Sequence, residues 1–119
     1  MNKKELRSLI VKENTIAVAR KQVQQQVRIW GYDNTEIYVR CFSACDDNFT
    51  TDLYVELTDG NDWKTITLAS ITISEEDAQG DFYKFEELTW DIFKTMKKNM
   101  LKELKEYNYT ITDTTDYHC

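Results

Sequence analysis

TDLYVELTDGNDWKTITL, residues 51–68, decides the fold class. Leu53, Val55 and Leu57 alternate with Asp52, Tyr54 and Glu56, so an extended chain here has one apolar and one polar side. Asp59-Gly60 follows, a pair that tolerates the positive φ angles of a tight hairpin. Ile66 and Leu68 then resume the alternation, and strands are predicted over 52–58 and 63–73. Ile71 and Ile73 fall on the opposite parity from Ile66 and Leu68. One side can stay apolar throughout only if a residue is inserted, which predicts a bulge or bend near Ala69-Ser70.

Upstream, Ile37, Val39 and Cys41 oppose Tyr38, Arg40 and Phe42, which predicts a strand over 36–43. Val27 and Ile29 also alternate with polar neighbours, giving a strand over 26–30 before the turn residues Gly31 to Asn34. The chain opens with Asn2 and Glu5 in capping-box spacing. Leu9, Ile16, Val23 and Trp30 then recur every seven residues, which predicts a helix over 3–24. Asn14-Thr15 marks a place where it could break in two, because both side chains compete for backbone hydrogen bonds.

Downstream, Ser74 to Gly80 reads as a short helical turn and Asp81 as a cap. Phe85, Leu88, Ile92, Met96, Met100, Leu104 and Tyr107 form an apolar stripe for a helix over 82–107. Residues 108–119 are expected to be a flexible tail, with an alternation from Tyr107 to Thr112 that would suit an edge strand. The sum is a single α+β domain spanning 1–119. It is an antiparallel four-stranded meander with an N-terminal helix and a long C-terminal helix packed on one face.

A chain of 119 residues with 41% apolar and 30% charged residues can bury a core without staples. Neither a secretory signal nor a run of about 18 apolar residues is present, so a cytoplasmic protein is expected, in the host cytoplasm if the gene is viral. Three cysteines, an odd number, argue against a secreted disulfide framework.

Charge is distributed unevenly. Residues 1–28 hold seven basic side chains against Glu5 and Glu13, and residues 92–107 hold five lysines against Glu103 and Glu106. Between them, residues 29–91 set fifteen carboxylates against Arg40, Lys64 and Lys84. The C-terminal lysines complement the helix dipole. With a net charge of −6 the chain lacks the footprint of a nucleic-acid binder, and neither direct nucleic-acid binding nor membrane binding is expected.

Catalytic signatures are missing. The single histidine, His118, is penultimate, and no nucleophile elbow, zinc-protease or phosphate-binding motif occurs. The expectation is a non-enzyme with no cofactor. Cys41, Cys45, His118 and Cys119 fit the arithmetic of a zinc site loosely, but adjacent ligands at a fraying terminus chelate poorly. Buried or incidental thiols are the expected reading, with a zinc-stabilised or small-ligand-binding accessory domain as the alternative.

What remains is the acidic middle: Asp46, Asp47, Asp52, Glu56, Asp59, Asp62, Glu75, Glu76 and Asp77, with Tyr54 and Trp63 as aromatic anchors. Asp52, Tyr54 and Glu56 are expected on one exposed strand face, about 6.6 Å apart, close to twice the axial step between phosphates of one DNA strand. This set predicts a partner-binding surface for a protein with a basic groove, such as a nuclease or CRISPR effector. In size and charge the chain is like the anti-CRISPR and anti-restriction inhibitors as a functional class, some of them DNA mimics. A toxin-immunity protein or antitoxin would present the same features.

Overall fold

The computed structural model describes residues 1–113 and 116–118. In chain order its elements are α1 (Lys3–Ser8), β1 (Val11–Lys12), α2 (Ile16–Trp30), a single 3-10 turn (Tyr32–Asn34), β2 (Glu36–Cys45), β3 (Asn48–Thr58), β4 (Trp63–Ser74), α3 (Phe82–Glu106), β5 (Ile111–Asp113) and β6 (Tyr117–His118). The α+β class holds. β2, β3 and β4 form an antiparallel meander, as their alternation predicts. The sheet as a whole is mixed, ordered β1-β4-β3-β2-β5, because β5 and β6 both pair with β2 in parallel. The expected four-stranded, wholly antiparallel sheet is corrected accordingly.

The N-terminal region departs most from expectation. Instead of one helix over 3–24, α1 stops at Ser8, and Val11 and Lys12 pair with Ser70 and Ala69 on the edge of β4. Asn14 and Thr15 cause the break. Asn14 Nδ2 donates to the Thr67 carbonyl (2.7 Å), and Thr15 Oγ1 accepts from Val18 N (3.1 Å) to cap a new helix. That helix runs through the segment expected as a strand over 26–30. Ala19, Val23 and Val27 share its buried side, and Ile29, read as a strand residue, is 74% exposed. The helix ends at Gly31, whose φ of 96° suits a residue without Cβ.

The shift of parity in β4 has the expected cause. Leu53 pairs with Ala69 and Tyr54 with Thr67, leaving Leu68 as the inserted residue. The bulge keeps Ile66, Leu68, Ala69, Ile71 and Ile73 all on the core side.

α1, α2 and α3 lie on that side. α3 crosses β2 and β3, while α1 and α2 pack on α3 and β4. Leu6, Val23, Leu53, Leu57, Ile66, Phe85, Phe93 and Leu104 are fully buried between the layers, each contributing about 1.5–3 kcal/mol. The opposite side of the sheet carries Tyr38, Arg40, Phe42, Asp52 and Glu56 at intermediate exposure. In the tail, expected to be flexible, β5 and β6 line the outer edge of β2. Asp116 between them accepts from Cys41 N (2.8 Å) and pairs with Lys97 (2.5 Å). Among the described residues no helix is long and apolar enough to cross a membrane.

Candidate functional site

The structure distributes the acidic residues over three places. The first is one end of the sheet. Asp46 and Asp47 form the β2–β3 turn, and Glu75, Glu76 and Asp77 open the loop from β4 to α3. Because Asn48 pairs with Ser74, the two loops lie side by side. The second loop is internally fixed: Ser74 Oγ accepts from Asp77 N (3.1 Å), Gly80 N donates to the Glu75 carbonyl (3.0 Å), and Ala78 is buried beneath. All five carboxylates are exposed, and none forms an ion pair among the described residues. α3 starts here, capped by Asp81, whose Oδ1 accepts from Lys84 N (3.1 Å). Phe82 packs edge-on against Phe49 (5.4 Å), and Tyr83 beside it is 72% exposed.

The second place is the uncovered sheet face, which carries Asp52, Tyr54 and Glu56. They do not form the expected exposed row, because Tyr54 is buried at 5% exposure, flanked across the sheet by Arg40 and Thr67. Glu56 is neutralised by Arg40 (3.4 Å), whose guanidinium also lies over the Tyr38 ring (4.1 Å). Tyr38 in turn stacks on Trp63 (6.3 Å). Asp52 is half-buried between Phe42 and Ser70. Its pKa is raised first by that burial and then by the charge of Glu13.

The third place is the β3–β4 turn, about 35 Å from the first along the strands. Asp59 Oδ1 accepts from Asp62 N (2.8 Å) and Asn61 N (2.9 Å), and these bonds, the first above all, hold its pKa low. Asp59 is therefore engaged in shaping the turn. Asp62 is exposed beside Trp63.

The zinc alternative loses its first pair. Cys41 and Cys45 both lie in β2, four residues and about 13 Å apart along the strand. Zinc–sulfur bonds of about 2.3 Å cannot join them. Cys41 is buried, and its thiol pKa is pushed up to about 12 by desolvation, then by Asp116, which disfavours the thiolate a metal needs. No metal-holding cluster occurs among the described residues. Cys119 lies outside them, and His118 is described only as backbone in β6.

Two features escaped the sequence reading. Tyr83 was hidden because it sits off the apolar stripe, and its position just after a cap was the available signal. The Tyr38–Arg40–Glu56 contacts follow from the alternation of β2, but their pairing needs the register, which only the folded chain supplies. No protein-family model, curated protein or solved structure matches the chain.

Proposed function

We propose that this chain is a non-catalytic binding protein that inhibits or neutralises a partner by seating its acidic end on a basic, nucleic-acid-handling groove. The observation carrying this reading is that two adjacent loops expose five carboxylates, none ion-paired among the described residues, at the end of the sheet where α3 begins with exposed Tyr83. Charge of one sign on fixed loops favours fast, oriented association with a basic surface, and an aromatic side chain can supply the buried contact. The carboxylates would take the places of phosphates, so inhibition is by competition. By analogy of size and charge, this chemistry would suit a phage anti-CRISPR or anti-restriction protein, and equally an immunity protein or antitoxin directed at a nuclease.

Within the partner-binding set expected from sequence, the reading narrows from the whole acidic middle to its acidic end. Glu56 is already paired and Tyr54 is buried, so neither is offered to a partner. The test is to capture the partner from the host, purify it, and measure competition with its nucleic acid. Reversal to lysine at Asp46, Asp47, Glu75, Glu76 and Asp77 removes five charge pairs at about 0.5 kcal/mol each, which predicts about fiftyfold weaker binding or more. A partner that holds the reversed protein equally well, or binds it and its nucleic acid together, overturns the reading.

A further inference from the structure

The apolar stripe of α3 places Ile92 and Met96 in the core, yet both are only half-buried. They line a groove of about 430 Å³ between the start of α2 and the middle of α3. Ile16 and Leu68 complete an apolar floor, and Thr95 and Asn99 add a hydroxyl and an amide. Among the described residues lining the groove, Lys12 alone is charged. It is exposed and forms no ion pair among the described residues. In a chain of net charge −6, a concavity with one cation and no carboxylate among its described lining residues favours an anion over a cation.

The wall bearing Lys12 is fixed in advance. Glu13 N and Asn14 N both donate to the Leu68 carbonyl (2.9 and 3.3 Å), and Asn14 Oδ1 accepts from Gln22 Nε2 (3.3 Å). The volume falls in the range of small-molecule sites, about 300–1,000 Å³. A partner helix would need a longer apolar track, and on the far side of Asn99 the surface offers Leu101 among Lys98, Lys102, Lys105 and Glu106.

We propose that this groove binds a small amphipathic carboxylate, a medium-chain fatty acid. Its chain lies on Ile16, Leu68, Ile92 and Met96, and its carboxylate meets Lys12. The site is separate from the acidic end and does not depend on the reading given to that end.

The experiment is an NMR titration of the whole chain with octanoate and, in parallel, with octanol, which has the same chain and no charge. Octanoate is expected to give saturable shifts at Ile16, Ile92 and Met96. Loss of the ion pair should make octanol about fivefold weaker, and Lys12→Glu, at an exposed position, should weaken octanoate by at least as much. Ile92→Trp should fill the groove and abolish the shifts. Octanol binding as tightly as octanoate, octanoate binding unchanged in Lys12→Glu, or shifts that are absent or lie elsewhere would each overturn the proposal.

Discussion

Trp90 Nε1 donates to Ser43 Oγ at 2.9 Å, joining the middle of α3 to β2 through the interior. Ser43 continues to Thr51 (2.7 Å) and Thr51 to Thr89 (2.7 Å), which turns back to the Phe85 and Glu86 carbonyls. Ser43, Thr51 and Thr89 are fully buried, so each hydroxyl depends on the next. Ser43→Ala leaves the Trp90 N–H without its partner and should cost about 1–3 kcal/mol in urea unfolding. Thr50→Ala on the uncovered face should cost well under 1 kcal/mol. Equal losses would mean that the chain of hydroxyls contributes nothing specific.

The meander was legible because Ile37 to Cys41, Leu53 to Leu57 and Ile66 to Ile73 alternate, and one inserted residue, Leu68, explains the change of parity. The buried side of α3 was legible only in part. Phe85, Met100 and Leu104 are buried as the stripe requires, but the middle turns bury Thr89 and Phe93 instead of Leu88, Ile92 and Met96. Both sets satisfy helical spacing. The sheet under one flank and α1 and α2 beside the other decide between them, and that is tertiary information. Phe93→Ala should therefore cost about 3–5 kcal/mol, whereas Ile92→Ala should cost less than about 2. Denaturant midpoints measure both, and the reverse order would return Ile92 to the core.

Cys41 and Cys45 should react very differently. Measured with a thiol reagent in a Cys119→Ser background, Cys45 is exposed and should label at once, while buried Cys41 should label only when the chain unfolds. Burial favours the neutral thiol of Cys41, so its folded pKa of about 12 lies above the unfolded value. Its stabilising contribution is complete below the unfolded pKa of about 8.5 and is lost as pH rises toward 12. Cys41→Ala should flatten that alkaline loss, and an unchanged slope would place the titrating group elsewhere.

Asp52 obeys the same sign at the acid end of the pH scale. Burial and then Glu13 raise its pKa, so the folded state prefers the neutral acid. Stability from this group is present below the unfolded pKa of about 3.9 and is lost as pH rises through the folded value. Asp52→Asn should raise the melting temperature at pH 7, and the gain should vanish near pH 3. Glu13→Gln should give a smaller gain of the same sign. A lower melting temperature at pH 7 in Asp52→Asn would show that the carboxylate is compensated by a contact other than those described.

The acidic end should declare itself in association kinetics. Its five carboxylates are exposed and form no ion pair among the described residues, so their attraction for a basic groove acts through solvent and is screened by salt. The Debye length falls from about 10 Å at 0.1 M to about 3 Å at 1 M salt, and the association rate should fall over that range while dissociation changes less. Reversal to lysine at Asp46, Asp47, Glu75, Glu76 and Asp77 should slow association and invert its salt dependence, because salt then screens a repulsion. Melting temperature should change little, since none of the five side chains is ion-paired among the described residues. Glu56→Lys differs in kind: it breaks the pair with Arg40 on the sheet face, so it should lower stability and leave the association rate almost unchanged. Tyr83→Ala should act on the dissociation rate, because an aromatic anchor contributes after encounter. If Glu56→Lys slowed association as strongly as the five reversals, the partner would sit on the open sheet face, and the acidic end would serve only solubility.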